Sequence, residues 1–200
     1  MKQILLILFF SALMFGCGLS PVSTPEIQTY TLLTVPNNIP LSLQQKQTIL
    51  ISAMVAAPGY SHPNMIYMDK PFELSSFAKH EWVSPPAEMV TPLLIETLRK
   101  TGRFHAVVSP PFTGDTEFRL DTQLVTLRQE FLSKPSIVRI AIQAELIDDA
   151  SNKVIASHLF QTVTPTSKNT PYGGVIAANQ GLQTLLGQLA DFVVQASRVK

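Results

Sequence analysis

Apolar positions recur along this chain with more than one period, and each period predicts a different element. Val138, Ile140, Ile142, Ala144 and Leu146 alternate with Arg139, Gln143 and Glu145, which predicts a strand with one buried and one wet face. Asp148 to Lys153 reads as the turn that follows, and Val154 to Val163 as the return strand. Upstream, Phe118, Leu120, Thr122 and Leu124 alternate before the apolar phase slips to Val125, Leu127 and Phe131, predicting a bulge or bend. Near the C-terminus the period lengthens. Ala178, Leu182, Leu185, Leu186, Leu189, Phe192, Val193 and Ala196 share one helical stripe, on a helix of about 35 Å at 1.5 Å per residue.

The first half is more broken. Thr29 to Leu33 and Thr48 to Val55 are strand candidates, the first ending at the turn signal Pro36-Asn37-Asn38. Met65 to Met68 and Phe72 to Leu74 read as a hairpin with Asp69-Lys70 at or near its turn. Ser84 suits an N-cap and Pro85 a first helical position, and Val90, Leu93, Leu94 and Leu98 follow at helical spacing. Pro92 either kinks this helix or starts a shorter one capped by Thr91. Gly102 ends it, and Phe104 to Val108 is a strand. A polar loop from Thr166 to Gly174 precedes the last helix. The order of elements predicts an α+β fold: one mainly antiparallel sheet with two helices packed on one face.

The N-terminus obeys a different logic. Met1-Lys2-Gln3 leads into a charge-free run from Ile4 to Phe15, then Gly16 and Cys17, the only cysteine. This is the order of a bacterial secretory signal ending at a lipoprotein processing site. Cleavage between Gly16 and Cys17 leaves a diacylglyceryl-modified Cys17 as the new N-terminus. A membrane-spanning helix needs about 20 apolar residues, more than this run supplies. A plain cleavable signal with an incidental cysteine and an uncleaved anchor are the other readings. The expected organisation is a lipoprotein signal peptide at 1–16, a tether at 17–28 and a single domain at 29–200.

Composition narrows the function classes. Net charge is +1 with 14% charged residues, scattered without runs, which gives no electrostatic bias toward nucleic acid. His62, His80, His105 and His158 lack ligand spacing, so no metal is expected, and no cofactor motif is present. His80-Glu81 is better read as a polar edge beside Trp82 than as an acid/base pair. Asp148-Asp149 is better read as turn chemistry than as a calcium site, and no nucleophile constellation points to an enzyme. Tyr67, Phe77 and Trp82 form the most informative cluster: an aromatic core plug, or a partly exposed patch that docks a partner.

The processing site, Tyr30-Thr31-Leu32, Ile66-Tyr67, Phe77 and Trp82 to Pro86 ahead of a Leu-rich helix resemble one known family. Phe104 to Val107, Phe118 to Asp121, Leu146 to Asp148 and the final helix complete the likeness. The chain resembles the ABC-type transport auxiliary lipoprotein family over nearly all of its mature length. That resemblance implies a non-enzymatic outer-membrane lipoprotein facing the periplasm of a Gram-negative cell. Its implied partners are a periplasmic protein with mammalian-cell-entry (MCE) domains and inner-membrane transport subunits, together moving lipid or other hydrophobic molecules between membranes. Gly18 and Leu19 lack the aspartate associated with inner-membrane retention, which favours outer-membrane sorting of the lipidated Cys17. A carrier that encloses a small hydrophobic ligand and a structural envelope lipoprotein are the competing readings.

Overall fold

A computed structural model describes residues 26–198; the predicted signal peptide and Cys17 lie outside the described residues. The chain order is β1 (Gln28–Tyr30), β2 (Thr48–Ile51), β3 (Val55–Ala56), β4 (Asn64–Met68), β5 (Ser75–Trp82), α1 (Pro86–Lys100), β6 (Ala106–Val108), β7 (Phe118–Glu130), β8 (Ile137–Asp148), β9 (Lys153–Pro165) and α2 (Pro171–Ala196).

Strand β7 organises the sheet. Along one edge it pairs over its whole length with β8, which pairs in turn with β9, both antiparallel. Along its other edge three short strands follow one another, all parallel to it: β2 at Phe118–Leu120, β3 at Gln123–Leu124 and β4 at Gln129–Glu130. Beyond β2 lies β6, also parallel, and beyond β4 lie antiparallel β5 and then β1, parallel to β5.

The expectation of a mainly antiparallel sheet is therefore corrected. The sheet is mixed, and five of its eight strand pairings among the described residues are parallel. The physical reason is that β2, β3 and β4 each reach β7 through a long connection, which leaves a parallel pairing open, whereas a tight hairpin imposes an antiparallel one. Side-chain alternation reads out which face is buried, not which way the neighbouring strand runs.

The phase slip in β7 is a register shift between Leu124 and Thr126. It re-aims the strand so that Leu127 and Gln129 are buried alongside Phe118, Leu120 and Leu124. Both helices cover this face. They touch each other; α2 lies over β8 and β9, and α1 packs near β3, β6 and β7. Leu94 and Leu98 of α1 and Leu185, Leu186, Leu189 and Val193 of α2 are completely buried against Ile140, Ile142 and Leu146.

Local chemistry explains the helix ends. Pro85 is the N-cap residue of α1 and makes no side-chain cap bond, so Ser84 does not act as predicted. Pro92 sits inside one continuous helix. The preceding turn is served by Thr91, whose hydroxyl donates to the Ala87 carbonyl at 2.9 Å and accepts from the Met54 amide at 3.1 Å. Gly102 terminates the helix at φ +64°, the left-handed position that glycine adopts without penalty. Helix α2 starts earlier than its stripe suggested. Thr170 caps it by accepting from the Gly173 amide at 3.1 Å, and Gly173 and Gly174 are helical rather than part of the loop. A side chain at Gly174 would collide with the Gln129 amide, so the glycine lets α2 close onto β7.

Candidate functional site

The predicted aromatic cluster divides in two. Trp82 ends β5 and is 5% exposed, held by its amide bonding to the Pro63 carbonyl at 2.7 Å. It belongs to the core and lines, with Phe77, Met65, Leu127 and Ala178, a cavity of about 20 Å³, room for a single water. Tyr67 and Phe77 lie nearer the surface and stack with ring centroids 4.5 Å apart.

From that pair a continuous strip of rings extends. Phe131 meets Tyr67 edge-on at 6.0 Å, and its amide bonds the Met68 carbonyl at 2.8 Å, tying the end of β7 to the end of β4. His80 meets Phe77 edge-on at 6.0 Å. Residues three apart on a regular strand face opposite sides. The register shift between Asn64 and Ile66 in the β4–β5 pairing removes that restriction. His80 then stacks on Tyr30 at 5.9 Å, with Nδ1 3.1 Å from the Tyr30 hydroxyl, and Tyr30 lies 6.0 Å from Tyr172 in the first turn of α2. His80 thus serves the aromatic strip; its hydrogen bond goes to Tyr30.

Asn179 fixes the far end of the strip. Its side-chain oxygen accepts from the Leu33 amide at 2.9 Å, and its NH2 donates to the Thr31 carbonyl at 3.2 Å. These bonds lay the segment after β1 along α2 and hold Tyr30 beside Tyr172. All the strip's rings are partly exposed, Tyr172 by 59%. The adjoining hairpin tips add apolar surface. Phe72, between β4 and β5, is fully exposed at φ +68°, and Leu132, between β7 and β8, is 50% exposed. A non-glycine residue at positive φ carries a backbone cost of about 1–2 kcal/mol. Phe72 contributes nothing to the core in return.

Sequence reasoning missed Phe131, Tyr172 and Phe72 as members of this surface. They come from separate hairpins and a helix start: β4 beside β7 brings Phe131 to Tyr67, and the Asn179 bonds bring Tyr172 to Tyr30.

Beneath the same end lies an ionic cluster on the opposite sheet face. Glu130 receives two hydrogen bonds from Arg139, at 2.8 and 3.1 Å, and one from Arg128 at 2.9 Å. The Arg139 bonds hold its carboxyl below the usual glutamate range; burial opposes this, and Arg128 adds to it. The turn at Asp148-Asp149 is also structural: Asp148 accepts from the Ser151 amide at 3.0 Å, and Asp149 from Arg119 at 2.9 Å. Among the described residues no three His, Cys, Asp or Glu side chains converge as metal ligands, and no helix is long and apolar enough to cross a membrane.

The fold has solved relatives. Protein XCC0632 from Xanthomonas campestris superposes with a TM-score of 0.76 at 18% identity, covering 86% of this chain and 97% of that one. The hypothetical protein CT253 from Chlamydia trachomatis gives a TM-score of 0.55 at 7% identity, covering 78% of this chain and 100% of that one. At such identities the likeness establishes the shared fold alone. A sequence comparison with curated proteins finds no match. The model of the ABC-type transport auxiliary lipoprotein component family matches residues 30–190, from β1 into the last turns of α2. The chain belongs to that family, and is accordingly a membrane-associated, non-catalytic accessory component of ABC-type transport.

Proposed function

We propose that this protein is anchored through a lipidated Cys17 to the periplasmic side of the outer membrane of a Gram-negative cell. There it docks an MCE-domain periplasmic protein of an intermembrane lipid transport system through the aromatic strip. The observation that carries the docking reading is the strip itself, running from Phe131 through Tyr67, Phe77, His80 and Tyr30 to Tyr172. Aromatic side chains bring large contact area at low entropic cost, and they concentrate where partners bind. Family membership supports a partner within a transport assembly, since an auxiliary component accompanies one. Trp82 supports the strip from within the core rather than touching a partner. The Trp82 site itself does not enclose a ligand, because its space between sheet and helices is no larger than a water.

Two experiments test the two halves. Membrane fractionation of a Cys17→Ala variant is expected to release the protein from the outer membrane; continued lipid labelling and outer-membrane location would sink the anchor. Crosslinked pull-downs from envelope extracts with Tyr67→Ser and Phe72→Gly variants are expected to lose an MCE-domain protein that the parent captures. Undiminished capture by both variants would remove the strip as the docking surface.

A further inference from the structure

At the other end of α2, about 39 Å of helix away from Tyr172, a cleft of about 460 Å³ opens between the segment before β2 and the turn after α1. It lies in the size range of small-ligand sites. Its walls are Gln45, Gln47, Arg103 and Arg198, and its rim carries Leu41 and Leu43, both more than four-fifths exposed. The two segments are laced by backbone hydrogen bonds: Ser42 to Thr101 and Gln45 to Arg103, each 2.8 Å, and His105 to Gln47 at 2.9 Å.

Arg103 is the unusual residue. It is 4% exposed, yet Nε and Nη1 of its guanidinium are buried without a hydrogen-bond partner. Nη2 alone is satisfied, donating at 3.0 Å to the Ser197 carbonyl at the C-terminal end of α2, where a cation also suits the helix dipole. Arg198 places a second positive charge beside it, and no ion pair among the described residues reaches either arginine. The buried oxygen of Gln47 is also unpartnered. A helix cap uses one nitrogen and explains one nitrogen. The Phe104 ring, 5.8 Å from the guanidinium carbon, offsets part of the charge but accepts no hydrogen bond from either nitrogen. Two buried, unpaired N–H groups on a cation, beside a like charge, remain a cost that an anion in the cleft would offset.

We infer that this cleft binds a phosphate group of the kind carried by a phospholipid headgroup, held by the Arg103 and Arg198 guanidinium groups with the lipid chains leaving over Leu41 and Leu43. The planar fork of arginine matches phosphate oxygens with paired hydrogen bonds. A protonated phosphate oxygen or a headgroup ammonium can donate to Gln47, which completes the inventory of unpaired groups. The exposed leucines favour an amphiphile over a free ion. Burial and the neighbouring Arg198 both press the Arg103 pKa downward, and an anion beside the guanidinium would oppose both. The site stands apart from the docking strip and does not depend on it.

The test is calorimetric titration of the full chain in nonionic detergent with three probes: dihexanoyl phosphatidic acid, inorganic phosphate, and uncharged dihexanoylglycerol. The short-chain phosphatidic acid is expected to bind, and Arg198→Gln, an exposed change that leaves the core alone, is expected to weaken it about tenfold. Arg103→Lys keeps the charge but loses the fork, and is expected to weaken binding while the unliganded protein still melts cooperatively. Inorganic phosphate binding as tightly, with the same dependence on Arg198, would keep the phosphate site and assign it to the free ion. Binding of dihexanoylglycerol as strong as that of the phosphatidic acid, or phosphate-probe affinity unchanged by Arg198→Gln, would overturn the inference. So would competition in which a peptide with a free C-terminal carboxylate outbinds both phosphate probes.

Discussion

Arg128 and Arg139 stand directly opposite each other across the β7–β8 ladder, and Glu130 bonds both. Like charges facing each other across strands are destabilising, so the carboxylate is what makes the pair tolerable. Its pKa is depressed by the bonds from Arg139 first and Arg128 second, against the opposing effect of burial. A depressed carboxylate adds stability that is fully present above its unfolded pKa, about 4.3, and is lost as pH falls through the lower folded value. Glu130→Gln is therefore expected to cost about 1–3 kcal/mol at neutral pH. Below about pH 4 the gap between variant and parent should close. Urea unfolding across a pH series measures it; a gap that widened toward acid would contradict the assignment.

Two glycines of α2 make opposite predictions from the same substitution. A Cβ at Gly181 would lie 2.7 Å from Thr164 Oγ1 and 3.1 Å from Thr162 Oγ1, because the helix rests directly on β9. At Gly187 the nearest atom is Pro36 Cγ at 3.8 Å. Gly181→Ala should destabilise by about 1–3 kcal/mol through overpacking. Gly187→Ala should stabilise by about 0.5–1 kcal/mol, the helical gain over glycine. Denaturant midpoints at constant slope read both, and equal signs would refute the packing described for α2.

Phe72 separates function from stability. Replacing it with glycine relieves the positive φ and removes no core contact, so Phe72→Gly should raise stability by about 0.5–1 kcal/mol. The same variant should capture less of the partner in the pull-down. A drop in stability would mean that Phe72 packs against the body of the domain.

Trp82 and Tyr67 should part company in the same assays. Trp82→Ala opens a cavity in the core and should cost about 3–5 kcal/mol. Tyr67→Ser acts on a partly exposed ring, and its unfolding midpoint should move less while capture falls more. If both variants lost stability alike, Tyr67 would be core as well, and the strip would shrink to its neighbours.

Side-chain periodicity carried the long elements. The alternation in Val138 to Leu146 became β8, the slip after Leu124 became a real register shift, and the Leu185–Val193 stripe became the buried face of α2. These were legible because burial of one face imposes a period on the chain wherever an element is long enough to repeat it. The short strands repeat too little for that. Phe72 to Leu74 looks like the return strand of the hairpin, but Phe72 sits in the turn and Glu73-Leu74 is irregular, whereas Ser75–Trp82 forms β5, its alternation broken by the register shift in its pairing with β4.

Strand direction and the assembly of surfaces belong to the tertiary structure alone. Nothing local distinguishes a parallel from an antiparallel neighbour, so the way β2, β3 and β4 line up along β7 is set by the packing of the whole sheet. The strip from Phe131 to Tyr172 and the cleft at Arg103 follow from that arrangement, each gathering residues far apart in the chain. Buried faces and family resemblance are both readable from the chain, because both reside in residue type and spacing. Which exposed rings and which unpaired charges meet was decided only by the packing, because proximity between distant segments is a property of the folded sheet.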